Sequence, residues 1–444
     1  MMKQIRLSLI AVAVVAALVS CQKAEPLAVS SADFQNSVEQ VTQIMVHDIF
    51  SPPVASRIYS YPNIAAYEIV AQSNPALNSM AGMVTDLKAI PKVKDSTVNL
   101  QVAALIAHMD LSKALVFSED RMISYRDSLY GIWEDKNKEE FLAAKDYGMQ
   151  VSEHIKAWMD ADNYKQTRTM PKFSVVTDDP ARWQPTPPAY MDGIEPHWNK
   201  IRPFVLDSAG QFKPTRHPDF SLEEDSEFYK ELKEVYDISN DITSNGDESE
   251  EVAIAQFWDC NPYVSVTRGH LMFATKKITP GAHWIGITKI ACNQAEADFD
   301  QTVHAYTKTS IAIFDAFINC WSEKYRSNLV RPETLINKLI DENWKPILQT
   351  PPFPEYTSGH SVVSGAAATV LTDIFGDNFS FLDDTELPYG LPVRSFESFN
   401  AAAQEAAISR MYGGIHYRAA VENGVDQGIS VGALVNQKLD LVND

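Results

Sequence analysis

The sequence predicts an all-α protein in which helical bundles are joined by long ordered loops. Apolar residues recur at three- and four-residue spacing through several long stretches, and no segment shows the sustained alternation of a β-strand. The chain has 444 residues, of which 45% are apolar and 22% charged, so it can bury one large core or several smaller ones. Its 18 glycines and 24 prolines are too few for a collagen-like or low-complexity chain.

The periodic segments predict an N-terminal helical region over residues 21–220 and a C-terminal helical region over residues 221–444. The end of the first region, from Met170 to Phe220, is rich in proline and aromatic residues and has no period. We interpret it as an ordered wrapping segment, because a disordered linker would rarely carry so many large apolar side chains. The predicted helices run from Ser31 to Phe50, Val54 to Gln72, Ser96 to Leu115, Glu139 to Asp160, Glu223 to Tyr236, Ala297 to Trp321, Gly359 to Phe375 and His416 to Asn436.

Residues 1–20 resemble a bacterial lipoprotein signal peptide. Lys3 and Arg6 precede an apolar run from Leu9 to Leu18, which is too short to span a bilayer as a stable helix. The run leads through Val19 and Ser20 to Cys21, as in a lipobox that is cleaved before a lipidated cysteine. The alternative is a plain signal peptide with an incidental cysteine. The sequence therefore predicts an exported protein of the bacterial cell envelope, held at the membrane only by lipid on Cys21.

The charge balance limits the ligands that the chain can bind. With 38 basic and 58 acidic residues, the formal net charge is −20, which disfavours nucleic acid as a partner. Any anion site must then be built from locally concentrated cations. The other cysteines are Cys260, Cys292 and Cys320, an odd number at wide spacing, which is no disulfide framework and contains no Cys-x-x-Cys zinc motif. Cys320 is predicted to be a small core residue.

Three short motifs in the last third of the chain contain the candidate site. A chance occurrence of all three in this order is on the order of one in ten thousand. Together they bring three cations, a helix start with a hydroxyl and a bare amide, and two imidazoles, which suits a multiply charged oxyanion such as phosphate or vanadate. In chain order the motifs are Lys324-x6-Arg331-Pro332, Ser358-Gly359-His360 and Ser409-Arg410-x5-His416.

The motifs resemble those of the vanadium-dependent haloperoxidases and the type 2 phosphatidic acid phosphatases, two groups with one helical fold and one oxyanion pocket. The resemblance covers residues 297–436 in detail and extends weakly to 257–258 and 280–284. It implies two four-helix bundles and vanadate as the cofactor. It also implies that His416 binds vanadium, that His360 is the acid–base residue, and that the equatorial oxygens contact Lys324, Arg331, Ser358, Gly359 and Arg410.

Several residues favour the haloperoxidase branch of this resemblance. Trp321 and Phe353 match positions where haloperoxidases place aromatic walls around the peroxide and the halide. A phosphatase would usually have an aspartate four residues after His416 to orient that nucleophile, where this sequence has Ala420, whereas a metal-bound imidazole needs only some neighbouring acceptor. The pattern is most similar to the iodoperoxidases of marine Bacteroidetes, which implies hydrogen peroxide and iodide as substrates, with Lys324 polarising the bound peroxide.

One position departs from the haloperoxidase pattern. Fungal chloroperoxidases have an aspartate three residues after the tryptophan of a Phe-Trp pair, where it supports the second arginine of the pocket. Here that position is Asn261, with Tyr263 two residues later, and both are candidates for the pocket surroundings. A neutral amide supports a guanidinium group less strongly than a carboxylate does, so the sequence favours a halide that is easier to oxidise than chloride.

Other interpretations of the same residues stay open at this stage. The pocket could belong to an acid phosphatase with His416 as nucleophile, or to a lipid-anchored protein that only binds oxyanions. Trp321 and Phe353 could be core residues, and Arg331-Pro332 could mark a helix start. Asp315 could pass for a catalytic acid, although a structural partner role is at least as well supported. The remaining histidines are predicted to be structural, with His283 and His304 as the foremost exceptions.

Overall fold

The computed structural model describes residues 25–244, 249–262, 265–268, 271–274 and 277–443. The predicted signal peptide, the predicted lipidation site Cys21 and the candidate pocket residue Tyr263 therefore lie outside the described residues. Within these ranges, no helix is both long and apolar enough to cross a lipid bilayer.

Four helices of the N-terminal half pack on one another as a first bundle. Capping side chains set their starts: Ser51 accepts a hydrogen bond from the Val54 amide, and Asn99 accepts one from the Val102 amide. The second helix is buried along its whole length, and its buried charged side chains have partners: Arg57 pairs with Asp162, and Glu68 accepts from Ser79 and the Met80 amide. The four helices are α1 (Ser31–Asp48), α2 (Pro52–Val70), α3 (Leu100–Lys113) and α4 (Glu119–Met159).

The segment that follows α4 contains little regular structure, only the single turn α5 (Tyr164–Thr167) and a 3-10 turn at Trp198–Lys200. Its aromatic side chains are buried nevertheless, as Trp183, Trp198 and Phe204 are fully inaccessible to solvent. Such burial fixes the course of the segment across the helices.

The C-terminal half supplies a second bundle and two short hairpins. Four helices of this half pack together: α9 (Phe299–Ser327), α11 (Gly359–Phe375), α12 (Phe399–Tyr412) and α13 (Arg418–Lys438). Helix α9 also packs against α1 and α2 of the first bundle. The strand pairs β1–β2 and β3–β4 are both antiparallel. The elements are α6 (Glu227–Ser244), α7 (Glu250–Phe257), β1 (Ser265–Arg268), β2 (Leu271–Ala274), α8 (Pro280–Gln294), α9 (Phe299–Ser327), α10 (Pro332–Leu339), α11 (Gly359–Phe375), β3 (Phe381–Asp383), β4 (Arg394–Phe396), α12 (Phe399–Tyr412) and α13 (Arg418–Lys438).

Asp315 on α9 attaches the wrapping segment to the bundle. Its carboxylate accepts hydrogen bonds from three consecutive amides, those of Phe204 (2.8 Å), Val205 (2.7 Å) and Leu206 (3.0 Å). The carboxylate is completely buried. Asp315 therefore satisfies buried backbone groups that have no sheet or helix to bond to, which is a structural task.

Helices α11 and α13 approach each other unusually closely. A Cβ atom added to Gly428 of α13 would lie 2.1 Å from the Val362 carbonyl oxygen of α11. Glycine is required here by space, because any side chain would separate the two backbones. The close contact brings the start of α13 against the start of α11, so that the Ser358 amide donates to the Ala420 carbonyl at 3.0 Å.

The predicted all-α class is confirmed, with differences in detail. Helix α4 begins at Glu119, far before the predicted start at Glu139. Its first half is largely exposed, with Met122 and Trp133 as the buried residues before the kink at Asn137, and only a narrow row of apolar residues that includes Tyr125 and Leu129 packs against the core. The two hairpins escaped prediction because strands of three or four residues are too short to show alternation.

Candidate active site

A cavity lies where helices α9, α11 and α12 meet the loop that precedes α13. The second and third sequence motifs contribute residues to its wall, as does Pro52 of the first bundle. Three predicted residues, Lys324, Arg331 and Ser358, stand behind this wall and are fully buried. The predicted residues that line the cavity are Trp321, Phe353, Gly359, His360, Arg410, His416 and Asn261.

His416 is held by a carboxyl group that the sequence did not point to. Its Nδ1 atom lies 2.7 Å from Glu355 Oε1, which also accepts the Tyr417 amide at 2.9 Å. Both side chains are buried. Burial raises the pKa of Glu355 to about 8, although nearby Arg331 and Lys324 act in the opposite direction.

Arg331 determines which ring nitrogen of His416 carries the proton. Its Nη1 atom lies 3.1 Å from His416 Nε2, and a guanidinium group can only donate. Because burial and nearby Arg331 lower the pKa of His416 well below its usual value, the ring is neutral. The proton is thus on Nδ1, facing Glu355, and Nε2 keeps a lone pair, as a metal ligand or nucleophile requires.

The remaining contacts of Arg331 fix its side chain in place. Nε donates to the Phe353 carbonyl at 3.0 Å, and Nη1 also donates to the Ile415 carbonyl at 2.8 Å. Arg331 is at the same time the N-cap residue of α10, with Pro332 in the first turn. Arg331 is therefore both the residue at a helix start and a residue of the candidate site.

Arg410 and His360 share one backbone acceptor. Arg410 Nη2 donates to the Trp258 carbonyl at 2.8 Å and to the Ala255 carbonyl at 3.2 Å. The His360 ring is hydrogen-bonded to the same Trp258 backbone. Since His360 Nε2 has no partner among the described residues, the bond is made by Nδ1, which donates to the carbonyl and leaves the Nε2 lone pair available.

Lys324 is a buried ammonium group surrounded by carbonyls. Nζ donates to the carbonyls of Pro354 (3.0 Å), Glu355 (3.0 Å) and Thr357 (2.5 Å). It also lies 5.0 Å from the centre of the Phe353 ring. Burial lowers the pKa of Lys324 to about 7, so its charge changes close to neutral pH.

The start of α11 faces the cavity. Ser358 is its N-cap residue and accepts a hydrogen bond from the Ser361 amide. The next residue, Gly359, lines the cavity, and its amide belongs to the first turn, where amides have no partner within the helix. A helix start of this kind attracts anions.

Two aromatic rings form the apolar side of the cavity. Trp321 and Phe353 lie with their ring centres 5.0 Å apart, and both belong to the main hydrophobic core as well as to the cavity wall. Asn261 also lines the cavity, and its Nδ2 donates to the Gln349 carbonyl at 3.4 Å. Arg410 donates its direct hydrogen bonds to backbone carbonyls and to Ser409 Oγ. Burial lowers the pKa of Arg410, and nearby Asp259 acts in the opposite direction.

Comparison with known proteins decides the family. A family model for the second helical-bundle domain of VCPO matches residues 338–444. The chain is 65% identical to a protein described as the first bacterial vanadium-dependent iodoperoxidase, with a TM-score of 0.92, over 95% of this chain and 100% of that one. This chain belongs to the vanadium-dependent haloperoxidase family.

More distant haloperoxidases share the fold. The holo and apo crystal structures of a bacterial vanadium-dependent chloroperoxidase are 17% and 16% identical to this haloperoxidase, with TM-scores of 0.67 and 0.66. They cover 88% of this chain in both cases, and 93% and 94% of their own. No protein of curated function matches the sequence significantly.

The sequence left open which group supports His416. In this vanadium-dependent haloperoxidase the partner is Glu355, which lies three residues before the Ser358 motif, whereas the position of the phosphatase aspartate is Ala420. The reason is topological, because the loop before α11 folds back on the loop before α13. The only sequence signal was an acidic residue in an otherwise apolar, proline-rich stretch.

Proposed function

We propose that this haloperoxidase binds vanadate at the cavity and uses it to oxidise iodide with hydrogen peroxide. The observation that carries the proposal is one buried donor atom and one buried ring nitrogen that lack hydrogen-bond partners. Among the described residues, Arg331 Nη2 and His360 Nε2 have no hydrogen-bond partner. Buried polar atoms are rarely left unpaired, so this pair beside the His416 lone pair fits a bound metal oxyanion.

The residues of the three motifs are suited to bind the oxygens and the metal of vanadate. The guanidinium groups of Arg331 and Arg410 would hold its oxygens, assisted by Lys324 and by the helix start at Ser358 and Gly359. His416 would bind the metal through Nε2, with Glu355 fixing the ring from the other side. Bound vanadate supplies a Lewis acid that makes peroxide oxygen electrophilic.

His360 is suited to carry the proton of the reaction. Iodide, hydrogen peroxide and one proton give hypoiodous acid and water, so a group that accepts and returns a proton is required. Burial and nearby Arg410 lower the pKa of His360 well below its usual value, which leaves the ring neutral and able to accept a proton from peroxide at Nε2. The bond from Nδ1 to the Trp258 carbonyl keeps Nε2 directed away from that carbonyl.

Iodide as the substrate is supported by two observations. The protein described as a bacterial vanadium-dependent iodoperoxidase is 65% identical over nearly the whole chain. The part of the cavity wall formed by Trp321, Phe353 and Phe317 is apolar. A large, weakly hydrated anion loses less hydration free energy on entering such a cavity than a small anion does.

The test is a reconstitution assay. The metal-free protein is incubated with vanadate, dialysed and supplied with peroxide and iodide, and triiodide formation is followed by absorbance. We expect activity that depends on vanadate and is much lower with chloride. His416→Ala should retain no vanadate, and Arg410→Ala should retain less. Full activity without vanadate, or in His416→Ala, would contradict the proposal.

A phosphatase activity at the same cavity is the second candidate. It is favoured by the Glu355–His416 contact, because a carboxyl-supported, neutral imidazole with its lone pair on Nε2 can attack phosphorus. This alternative predicts release of phosphate from a chromogenic monoester, with vanadate acting as an inhibitor. If vanadate-loaded protein oxidises iodide and metal-free protein releases no phosphate, the alternative is rejected.

Export and lipidation remain proposals from the sequence. We propose that the chain is cleaved before Cys21 and anchored to the bacterial envelope by lipid on that residue. Mass spectrometry of the mature N-terminal peptide should show a diacylated or triacylated cysteine. Cys21→Ala should prevent acylation. A mature protein that begins at another residue and carries no lipid would contradict this proposal.

A further inference from the structure

A second cluster of chemically active side chains adjoins the cavity. Cys260, whose side chain contributes to the cavity wall, also contacts His283 and Glu386, and all three are buried. Its Sγ atom lies 3.4 Å from His283 Nδ1 and 3.6 Å from Glu386 Oε1, and the distance from Nδ1 to Oε1 is 3.4 Å. One atom from each residue thus forms the corner of a compact triangle.

The size of this triangle matches a tetrahedral zinc ion. With zinc bonds of about 2.3 Å to sulfur and about 2.0–2.2 Å to nitrogen and oxygen, tetrahedral angles place sulfur about 3.5–3.6 Å from the other ligands. The same bonds place nitrogen and oxygen about 3.4 Å apart. The three observed distances agree with these values to within about 0.2 Å.

The surroundings of His283 are those of a metal-bound imidazole. Its other nitrogen, Nε2, lies 2.8 Å from Asp383 Oδ2 and 2.7 Å from Thr385 Oγ1. Donation from Nε2 to a carboxylate places the lone pair on Nδ1, directed toward Cys260 and Glu386. Histidines that bind a metal almost always donate the other ring N–H to a carboxylate, a backbone carbonyl or water, which orients the ring.

We propose that Cys260, His283 and Glu386 bind a zinc ion. Thiolate, neutral imidazole and carboxylate are the ligand types that zinc prefers, and the two anionic ligands neutralise its charge in a buried place. The three protein ligands leave the fourth position to a water molecule. A protonated His283 held between Asp383 and Glu386 without metal is the competing arrangement, and the experiments below separate the two.

The ion would position the oxyanion-binding groups of the cavity. Its ligands come from the loop after α7, the first turn of α8 and the turn after β3, so it joins three separate segments of the chain. Trp258 lies two residues before Cys260, and its indole stacks on the His283 ring with centres 4.3 Å apart. The Trp258 carbonyl, in turn, holds Arg410 and His360.

The first experiment uses the full-length wild-type protein. After dialysis against zinc chloride and removal of excess metal, zinc and vanadium are counted separately by mass spectrometry. We expect about one zinc per chain whether or not vanadate is bound, and its release when a mercurial reagent blocks the thiol. Cobalt in place of zinc should produce a thiolate-to-cobalt charge-transfer band. Absence of both zinc retention and this band would overturn the proposal.

Variants identify the ligands. Cys260→Ser and Glu386→Gln should each bind zinc at least tenfold more weakly, because each loses one of three protein ligands. Cys292→Ser is the matched control, since Cys292 is another buried thiol outside the cluster. If Cys260→Ser retains zinc as tightly as Cys292→Ser does, the assignment is wrong. The zinc count does not depend on iodide oxidation, so failure of either proposal can be told from failure of the other.

Discussion

Glu355 Oε1 lies 2.7 Å from His416 Nδ1, and the two residues belong to loops that are 61 positions apart in the sequence. The contact fixes both the orientation and the tautomer of the imidazole. It also supplies a carboxyl group to His416, which Ala420 on α13 cannot do. The functional behaviour of His416 is therefore controlled from the loop before α11.

We predict that Glu355→Gln weakens vanadate binding by about 10- to 100-fold, because a neutral amide raises the basicity of Nε2 less than a carboxylate does. Binding is measured at pH 8.5, above the pKa of about 8 that burial gives Glu355. Glu68→Gln is the control, since Glu68 is also buried but accepts hydrogen bonds from Ser79 and Met80 in the first bundle. Unchanged affinity in Glu355→Gln would show that the carboxyl group acts only as a neutral acceptor.

The affinity for vanadate should depend on pH through Lys324. Burial lowers its pKa to about 7, so the side chain is an ammonium below that pH and an amine above it. An oxyanion favours the ammonium, so binding above pH 7 must take up a proton, and the apparent affinity falls by up to about tenfold per pH unit. Calorimetry at pH 8 in two buffers of different ionisation enthalpy measures the proton uptake.

Lys324→Met separates this proton from those of the ligand itself. Vanadate titrates in both proteins, whereas only the wild type has the lysine. The uptake in the wild type should exceed that in the variant by up to one proton. Equal uptake in the two proteins would mean that Lys324 keeps its charge throughout this pH range.

Asp315→Ala should destabilise the fold by about 2–4 kcal/mol, because three buried amides of the wrapping segment lose a charged acceptor. Asp315→Asn keeps one acceptor oxygen and should cost less. Urea unfolding followed by circular dichroism measures both. A cost below about 0.5 kcal/mol for Asp315→Ala would contradict the structural role of this carboxylate.

A pair of glycine substitutions tests the close approach of α11 and α13. Gly428→Ala should destabilise the protein by about 2 kcal/mol or more, because the new methyl group would overlap the Val362 carbonyl. Gly131→Ala is the matched change in the interior of α4, where no atom lies near the added methyl group. It should stabilise the protein by about 0.5–1 kcal/mol, and thermal unfolding of both variants tests the contrast.

Helical periodicity was sufficient to predict most long helices, because buried helices carry apolar stripes. Helix α9 was predicted from Ala297 to Trp321 and runs from Phe299 to Ser327. The prediction stopped short where the stripe gives way to Ser322, Lys324 and Arg326. Periodicity measures burial of one face, so a polar helix end is invisible to it.

In the candidate site, too, residues in local motifs could be predicted, whereas contacts between distant segments could not. Short motifs indicated Arg331, His360, Arg410 and His416 because their residue types and spacing are unusual in themselves. Glu355 and the Cys260 cluster were not predicted, since their partners are brought together only by loop packing. Nothing in the spacing between Cys260 and His283, or between Glu355 and His416, distinguishes these pairs from chance.

The short loop from Phe353 to Thr357 contacts several of the charged residues of the candidate site. Its carbonyls bind the side chains of Arg331 and Lys324, and its carboxyl group holds His416. A displacement of this loop would therefore disturb two cations and one imidazole at once. Substitutions at these positions should show energies that do not add, and loss of oxyanion affinity should occur as a single cooperative event.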